Sequence, residues 1–169
     1  MPNLKPFPFS LQPITEEEGF MLEALKQAWK GFLAEEIPIG AVIVHDGKVI
    51  ARGYNQVEML KDATAHAEML AVTSASSALE NWRLTGATLY TTVEPCVMCL
   101  GAMLLSRVSS LVWAAPDLRH GALGSWVNLV EKPHPTHAIE VKRGPYGDES
   151  AYLLREFFRL RRKGADVTL

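Results

Sequence analysis

Cysteine is scarce in this 169-residue chain, which holds two, Cys96 and Cys99. A fold stapled by several disulfides is excluded. Two thiols three positions apart in a reducing compartment point to metal or redox chemistry before a structural bridge. Also missing is any apolar run of the roughly 18 residues that a membrane-spanning helix needs. Residues 1–10, broken by Pro2, Pro6 and Pro8, lack the apolar stretch of a secretory signal, so a cytoplasmic location without a membrane partner is expected. Low-complexity segments and internal repeats are absent, and 48% apolar residues suffice for one domain with its own core. A strong excess of either charge is lacking too, the formal charge being −2. Nucleic-acid binding must therefore be judged from local basic patches.

What is present is a regular succession of elements. Thr15 to Glu18 has the spacing of a capping box, and Met21, Leu25, Ala28, Trp29 and Phe32 then recur at helical intervals. Gly40–His45 and Lys48–Tyr54 are β-rich runs joined by Asp46-Gly47, a hairpin signal. A polar loop follows, and Ala65–Leu79 has the composition of a buried helix. Ala87–Thr92 suits a strand, and Pro95 suits the first turn of a helix running to about Ser106. Short strands are expected at Ser110–Ala114 and Ile139–Arg143, with a long loop between them and a closing helix at Glu149–Lys163. Strands alternating with helices predict an α/β fold, a three-layer α/β/α sandwich around a mixed five-stranded sheet. Residues 15–169 are expected to form a single domain behind a flexible N-terminal extension, residues 1–14.

The densest chemistry lies in Thr64-Ala65-His66-Ala67-Glu68 and Glu94-Pro95-Cys96-Val97-Met98-Cys99. One imidazole and two thiolates are good zinc ligands, and three protein ligands leave a fourth tetrahedral position for water. Near a helix start, both the helix dipole and a metal favour the thiolate. Glu68 interrupts an otherwise apolar helix, so its carboxylate suits acid/base work beside an activated water. Positions two apart on an ideal helix point about 200° apart. His66 and Glu68 can therefore share a site only if His66 stands at the helix entry.

Together with Glu36-Ile37-Pro38-Ile39-Gly40, Asn81-Trp82-Arg83-Leu84, Gly121-Ala122-Leu123-Gly124-Ser125 and Phe157-Phe158-Arg159-Leu160-Arg161-Arg162, these motifs resemble bacterial tRNA-specific adenosine deaminases. Those enzymes lie within the zinc-dependent cytidine/deoxycytidylate deaminase superfamily. The resemblance runs from about Glu16 to Lys163. It implies a cytidine-deaminase-like fold, a homodimer and one Zn²⁺ per chain on His66, Cys96 and Cys99. It implies hydrolytic conversion of adenosine to inosine at the wobble position of a tRNA anticodon stem-loop, with Glu68 as proton shuttle. It also places Asn55 against the edge of the target base and Asp117 toward the RNA. Where the family usually has Ala-Arg-Asp this chain has Ala115-Pro116-Asp117, so Arg119 is the candidate replacement for a missing phosphate contact. Ala63 stands where a proline is usual, which bears on loop stiffness more than on chemistry.

Arg155, Arg159 and Arg162 recur at helical spacing on the closing helix, and Arg161 and Lys163 thicken the cluster. They are candidate RNA contacts, against the plain reading of a solvated face at a helix C-terminus. His134 and His137, in a proline-punctuated loop, fit solvent-facing side chains better than a second metal site, and His45 and His120 take the same default. Two rivals stay open. One is a deaminase of a free base or nucleoside (guanine, cytosine or cytidine), and the other is a zinc-stabilised RNA-binding subunit without activity.

Overall fold

A computed structural model describes residues 6–165, with side chains as far as Arg162. The elements run α1 (Glu16–Leu33), β1 (Gly40–His45), β2 (Lys48–Tyr54), α2 (Val57–Leu60), α3 (Ala67–Ala78), β3 (Thr88–Val93), α4 (Val97–Leu105), β4 (Ser110–Ala115), β5 (Glu140–Arg143) and α5 (Gly147–Ala165). Thr15 and Glu18 form the capping box, each side chain bonded to the other's backbone N–H at 3.1 and 3.0 Å. Asp46 and Gly47 turn the hairpin with φ of 50° and 71°, the paired positive angles of a tight turn between twisted strands. Two boundaries differ from expectation. The polar loop after β2 contains the short α2. Pro95 lies ahead of the N-cap of α4, because the helix starts only at Val97.

The sheet has the order β2-β1-β3-β4-β5, with β1 antiparallel to both neighbours and β3, β4 and β5 parallel. Side chains alternate across it. Ala41, Ile43, Leu89 and Leu111 pack with Ala67, Ala71 and Ala75 of α3 and Leu100 and Met103 of α4. Val42, Tyr90, Val112 and Ala114 face Met21 and Ala24 of α1. Leu153 of α5 joins Leu25 and Ala28 on that same side. The result is the expected three-layer α/β/α sandwich with a mixed five-stranded sheet.

The part of the N-terminal extension that is described does not hang free. Residues 1–5 lie outside the described residues. Phe7, Phe9 and Leu11, spaced two apart as one face of an extended chain requires, pack against Leu25, Ala28 and Leu153. Phe9 meets Phe7 and Tyr152 edge-on, with ring centroids 5.4 and 5.8 Å apart. The proline-rich segment thus straps α1 to α5. Among the described residues, no helix is long and apolar enough to cross a membrane.

α1 presses on β1 so closely that residue 40 has no room for a side chain. A methyl group on Gly40 would collide with the backbone of Ala24 and Ala28, neither of which can yield without moving the helix. Gly19, on the same helix, has open space around it. Gly40→Ala is therefore expected to lower stability by about 1–3 kcal/mol, as overpacking does. Gly19→Ala should raise it by about 0.5–1 kcal/mol through backbone entropy alone. Urea midpoints of the two variants check this, and equal shifts would contradict the close approach.

Candidate active site and metal centre

The sheet order brings the reactive residues together. Both β2 and β3 run antiparallel to β1, so they end at the same edge of the sheet. The helices that follow them, α3 and α4, start at that edge and cover the same face. A hydrogen bond of 3.0 Å from Gln56 N to Ala65 O ties the end of β2 to the entry of α3.

His66 is the N-cap of α3, with extended backbone angles of φ −73° and ψ 153°, while Glu68 lies in the first helical turn. That break in helical geometry lets two side chains two positions apart face one point. Cys96 is likewise the N-cap of α4, and Cys99 lies in its first turn. Neither N-cap side chain makes a capping hydrogen bond. The Cys96 and Cys99 sulfurs lie 3.6 and 3.5 Å from His66 Nδ1, and all three donor atoms fall within 4.8 Å of one another.

Those spacings fit zinc. With Zn–S of about 2.3 Å and Zn–N of about 2.0–2.1 Å at tetrahedral angles, sulfur and nitrogen stand about 3.5 Å apart. A hydrogen bond from the Cys99 thiol, helped by His66, pulls Cys96 down to about 4, which makes it the thiolate of the pair. Cys99 is pushed up by the neighbouring Cys96 and by burial. A divalent cation overrides this division, because a coordinating thiol is deprotonated outright. His66 is raised chiefly by its hydrogen bond to Cys96.

Glu68 is buried, with one carboxyl oxygen 3.7 Å from Cys99 Sγ and the other 3.3 Å from the Thr91 hydroxyl. Burial raises its pKa, so the protonated form is accessible nearer neutrality than for an exposed glutamate. A carboxyl group that can both hold and release a proton beside three metal donors is equipped for acid/base catalysis.

Two further buried carboxylates, neither among the expected site residues, shape the surroundings. Glu94 accepts hydrogen bonds from the backbone N–H of Asp117 (3.1 Å), Leu123 (2.9 Å) and Ser125 (3.2 Å), and from the Ser125 hydroxyl. It thereby folds the loop after β4 against Cys96, which pairs with Gly121. Glu36 accepts from the Asn55 side chain and from the start of α2. Glu36 follows another acid, Glu35, and Glu94 stands between Val93 and Pro95, so no local pattern marks either one as buried.

The remaining predicted site residues are less concentrated. Asn55 is buried at the end of β2, beside the entry of α3. Asp117 turns its carboxylate into its own loop, accepting from Arg119 N (2.9 Å) and His120 N (3.2 Å), while Arg119 itself is exposed. His137 bonds the Val108 carbonyl at 2.7 Å, and His134 is engaged with Thr136, so neither joins a metal cluster. Arg155 and Arg162 are exposed on α5, and Arg159 is paired with Glu156 at 2.8 Å. The Lys163 side chain lies outside the described residues. α5 belongs to the opposite helical layer, yet it runs along the edge that carries the cluster. Its start abuts Ala114, and Arg161 near its far end bonds Glu35 O at 3.2 Å, just ahead of β1.

Known proteins resemble this chain in sequence and in fold. A tRNA-specific adenosine deaminase of Bacillus subtilis is 45% identical over 89% of this chain and 93% of its own length. A chloroplastic tRNA(adenine(34)) deaminase of Arabidopsis thaliana is 49% identical over 87% of this chain, which spans 12% of that much longer protein. A solved structure from work on A-to-I editing by tRNA:A34 deaminases superposes with a TM-score of 0.77 at 43% identity, covering 80% of this chain and 99% of that one. Residues 14–115 match the cytidine and deoxycytidylate deaminase zinc-binding region, and with near-full-length likeness to tRNA adenosine deaminases the chain belongs to this zinc-dependent deaminase family.

Proposed function

We propose that this protein hydrolyses adenosine to inosine at the wobble position of a tRNA anticodon, with one zinc ion per chain held by His66, Cys96 and Cys99. The observation that carries the reading is the convergence of three metal donors and one buried carboxyl group on a single point. It rests also on likeness to tRNA adenosine deaminases over nearly the whole chain. Bound zinc supplies the Lewis acidity that makes a water acidic enough to attack near neutral pH. Glu68 takes a proton from the attacking water and delivers one to the ring nitrogen beside C6. As the C6–N6 bond breaks, the amino group leaves as ammonia with a proton passed through the same carboxyl. Asn55 holds the edge of the base, and the exposed arginines Arg119, Arg155 and Arg162 meet phosphates of the stem-loop. The reading treats residues 15–169 as one deaminase domain, acting as a homodimer in the cytoplasm, where its substrate is found. Incubation with bulk tRNA followed by sequencing for adenosine-to-inosine changes tests it. Ammonia release from guanine without inosine in tRNA would favour the free-base alternative.

Elemental analysis should find about one zinc per chain, the content of a mononuclear site. Cys99→Ser is expected to lose both metal and activity, and full turnover in metal-free protein would refute the assignment. Glu68→Ala should keep its zinc and its melting temperature while turnover falls by about 10²–10⁴, the loss typical of a missing general acid/base. Loss of zinc in that variant would make Glu68 a ligand instead.

Because Arg159 is already engaged by Glu156, Arg155 and Arg162 carry the test of the basic helix. A single-stranded nucleic acid contributes a log–log salt slope of roughly −0.7 per neutralised phosphate. Replacing both arginines with alanine should flatten the salt dependence of tRNA binding by about 1.4. Parallel lines for wild type and variant would mean that α5 is a solvated face and no more.

A further inference from the structure

Glu94 takes no part in the chemistry proposed above, yet it is 2% exposed, and among the described residues no lysine or arginine pairs with it. One short stretch of chain surrounds it. Oε1 accepts from Leu123 N at 2.9 Å and Ser125 N at 3.2 Å, and Oε2 accepts from Asp117 N at 3.1 Å and from the Ser125 hydroxyl. A carboxylate offers about four acceptor positions, and here four donors fill them. A methyl group on Gly121 would collide with the same carboxyl group, so the chain lies flat against it.

Asp117 carries this hold outward. Its carboxylate accepts from Arg119 N at 2.9 Å and His120 N at 3.2 Å, and its carbonyl accepts from Gly121 N at 2.9 Å. Residues 117–121 are thus a closed turn, with Arg119 exposed on it. The turn has two attachments. Glu94 grips it at Asp117, and Pro95 O receives Ala122 N at 2.9 Å just beyond its end. Both belong to the junction that also carries Cys96, and Cys96 itself pairs with Gly121.

We infer that Glu94 is a positioning residue for tRNA, which through Asp117 fixes the turn bearing Arg119 so that its guanidinium meets a phosphate beside the metal donors. The inference rests on the reading of Arg119 as a phosphate contact. An arginine on a loose loop must lose that freedom on binding, and the loss is subtracted from affinity. Here the backbone under Arg119 is ordered at folding, and its position is referred to the metal site itself. A glutamine at position 94 keeps the shape but has only one accepting oxygen. That oxygen suits the place of Oε1, where two backbone N–H groups converge. Its NH₂ group then faces Asp117 N and the Ser125 hydroxyl, and only the hydroxyl can turn to accept. The hold that is lost is the one on Asp117.

The test is a double-mutant cycle on binding of an anticodon stem-loop with adenosine at the target position, in zinc-loaded Glu68→Ala protein. Glu94→Gln should weaken binding at least about threefold when Arg119 is present, as expected of groups in one network. It should change binding little when Arg119 is already alanine, with zinc content equal in all four proteins. Equal losses in both backgrounds would overturn the positioning role. Arg119→Ala alone should flatten the salt dependence by about 0.7. A parallel line there would remove the reading of Arg119 first and the inference with it, whereas no binding of the stem-loop by any of the four would count against the proposed substrate. Amide hydrogen exchange needs no variant to fold. In the unsubstituted protein the N–H groups of Asp117, Leu123 and Ser125 should be protected, and exchange at the rate of an open loop would overturn the hold of Glu94. In Glu94→Gln protein Asp117 should lose its protection while Leu123 keeps it, and the reverse pattern would contradict the assignment.

Discussion

A metal site of three protein donors needs side chains from distant parts of the chain held within a few ångströms, and here two helix entries meet that demand. Because β1 runs opposite to both of its neighbours, β2 and β3 point the same way and release their helices at one edge. Strand spacing of about 4.8 Å puts β2 and β3 about 10 Å apart, the distance at which two helices pack side by side. The first turns of α3 and α4 are therefore neighbours. Their positive dipole ends face the point where the thiolates gather, and their N-cap residues, free of helical geometry, can aim side chains across the gap. Deaminase chemistry in this fold depends on that one meeting.

The rest of the edge serves the same point. β4 is parallel to β3, so the loop that follows it emerges beside Cys96 and is gathered in by Glu94. β1 starts where β2 ends, which sets Glu36 beside Asn55. Buried carboxylates that accept backbone N–H groups do work that a longer stretch of regular structure would otherwise do. They hold irregular segments at fixed positions. Each is costly to bury alone, and the ring of donors offsets that cost.

Much of this was legible in the residues themselves. The capping box at Thr15, the Asp46-Gly47 turn and the alternating strands depend on neighbours in sequence, and they formed where their patterns lay. The candidate metal donors stood out because their chemistry is rare: two cysteines in the whole chain, three apart, with a histidine upstream. The requirement that His66 stand at a helix entry is met by its extended backbone. Other features were hidden because their cause lies far away in sequence. Glu94 reaches partners 23 to 31 residues on, and Glu36 reaches across 19 to 23. Nothing in the local pattern announces those bonds. The strap of Phe7, Phe9 and Leu11 was obscured by prolines that suggested a loose tail, and its apolar partners belong to helices at both ends of the chain.

The course of α5 bears on what size of molecule the protein can sense. The helix lies in the opposite layer from the metal donors but follows the same rim, ending against Glu35. A lone nucleoside seated at the cleft occupies one side of that rim and gains nothing from the arginines beyond it. A folded hairpin of RNA, the substrate proposed above, would drape over the rim and touch both sides at once. The sheet edge would then work as a calliper, telling large from small by span alone and leaving the metal-donor cluster to judge only the base.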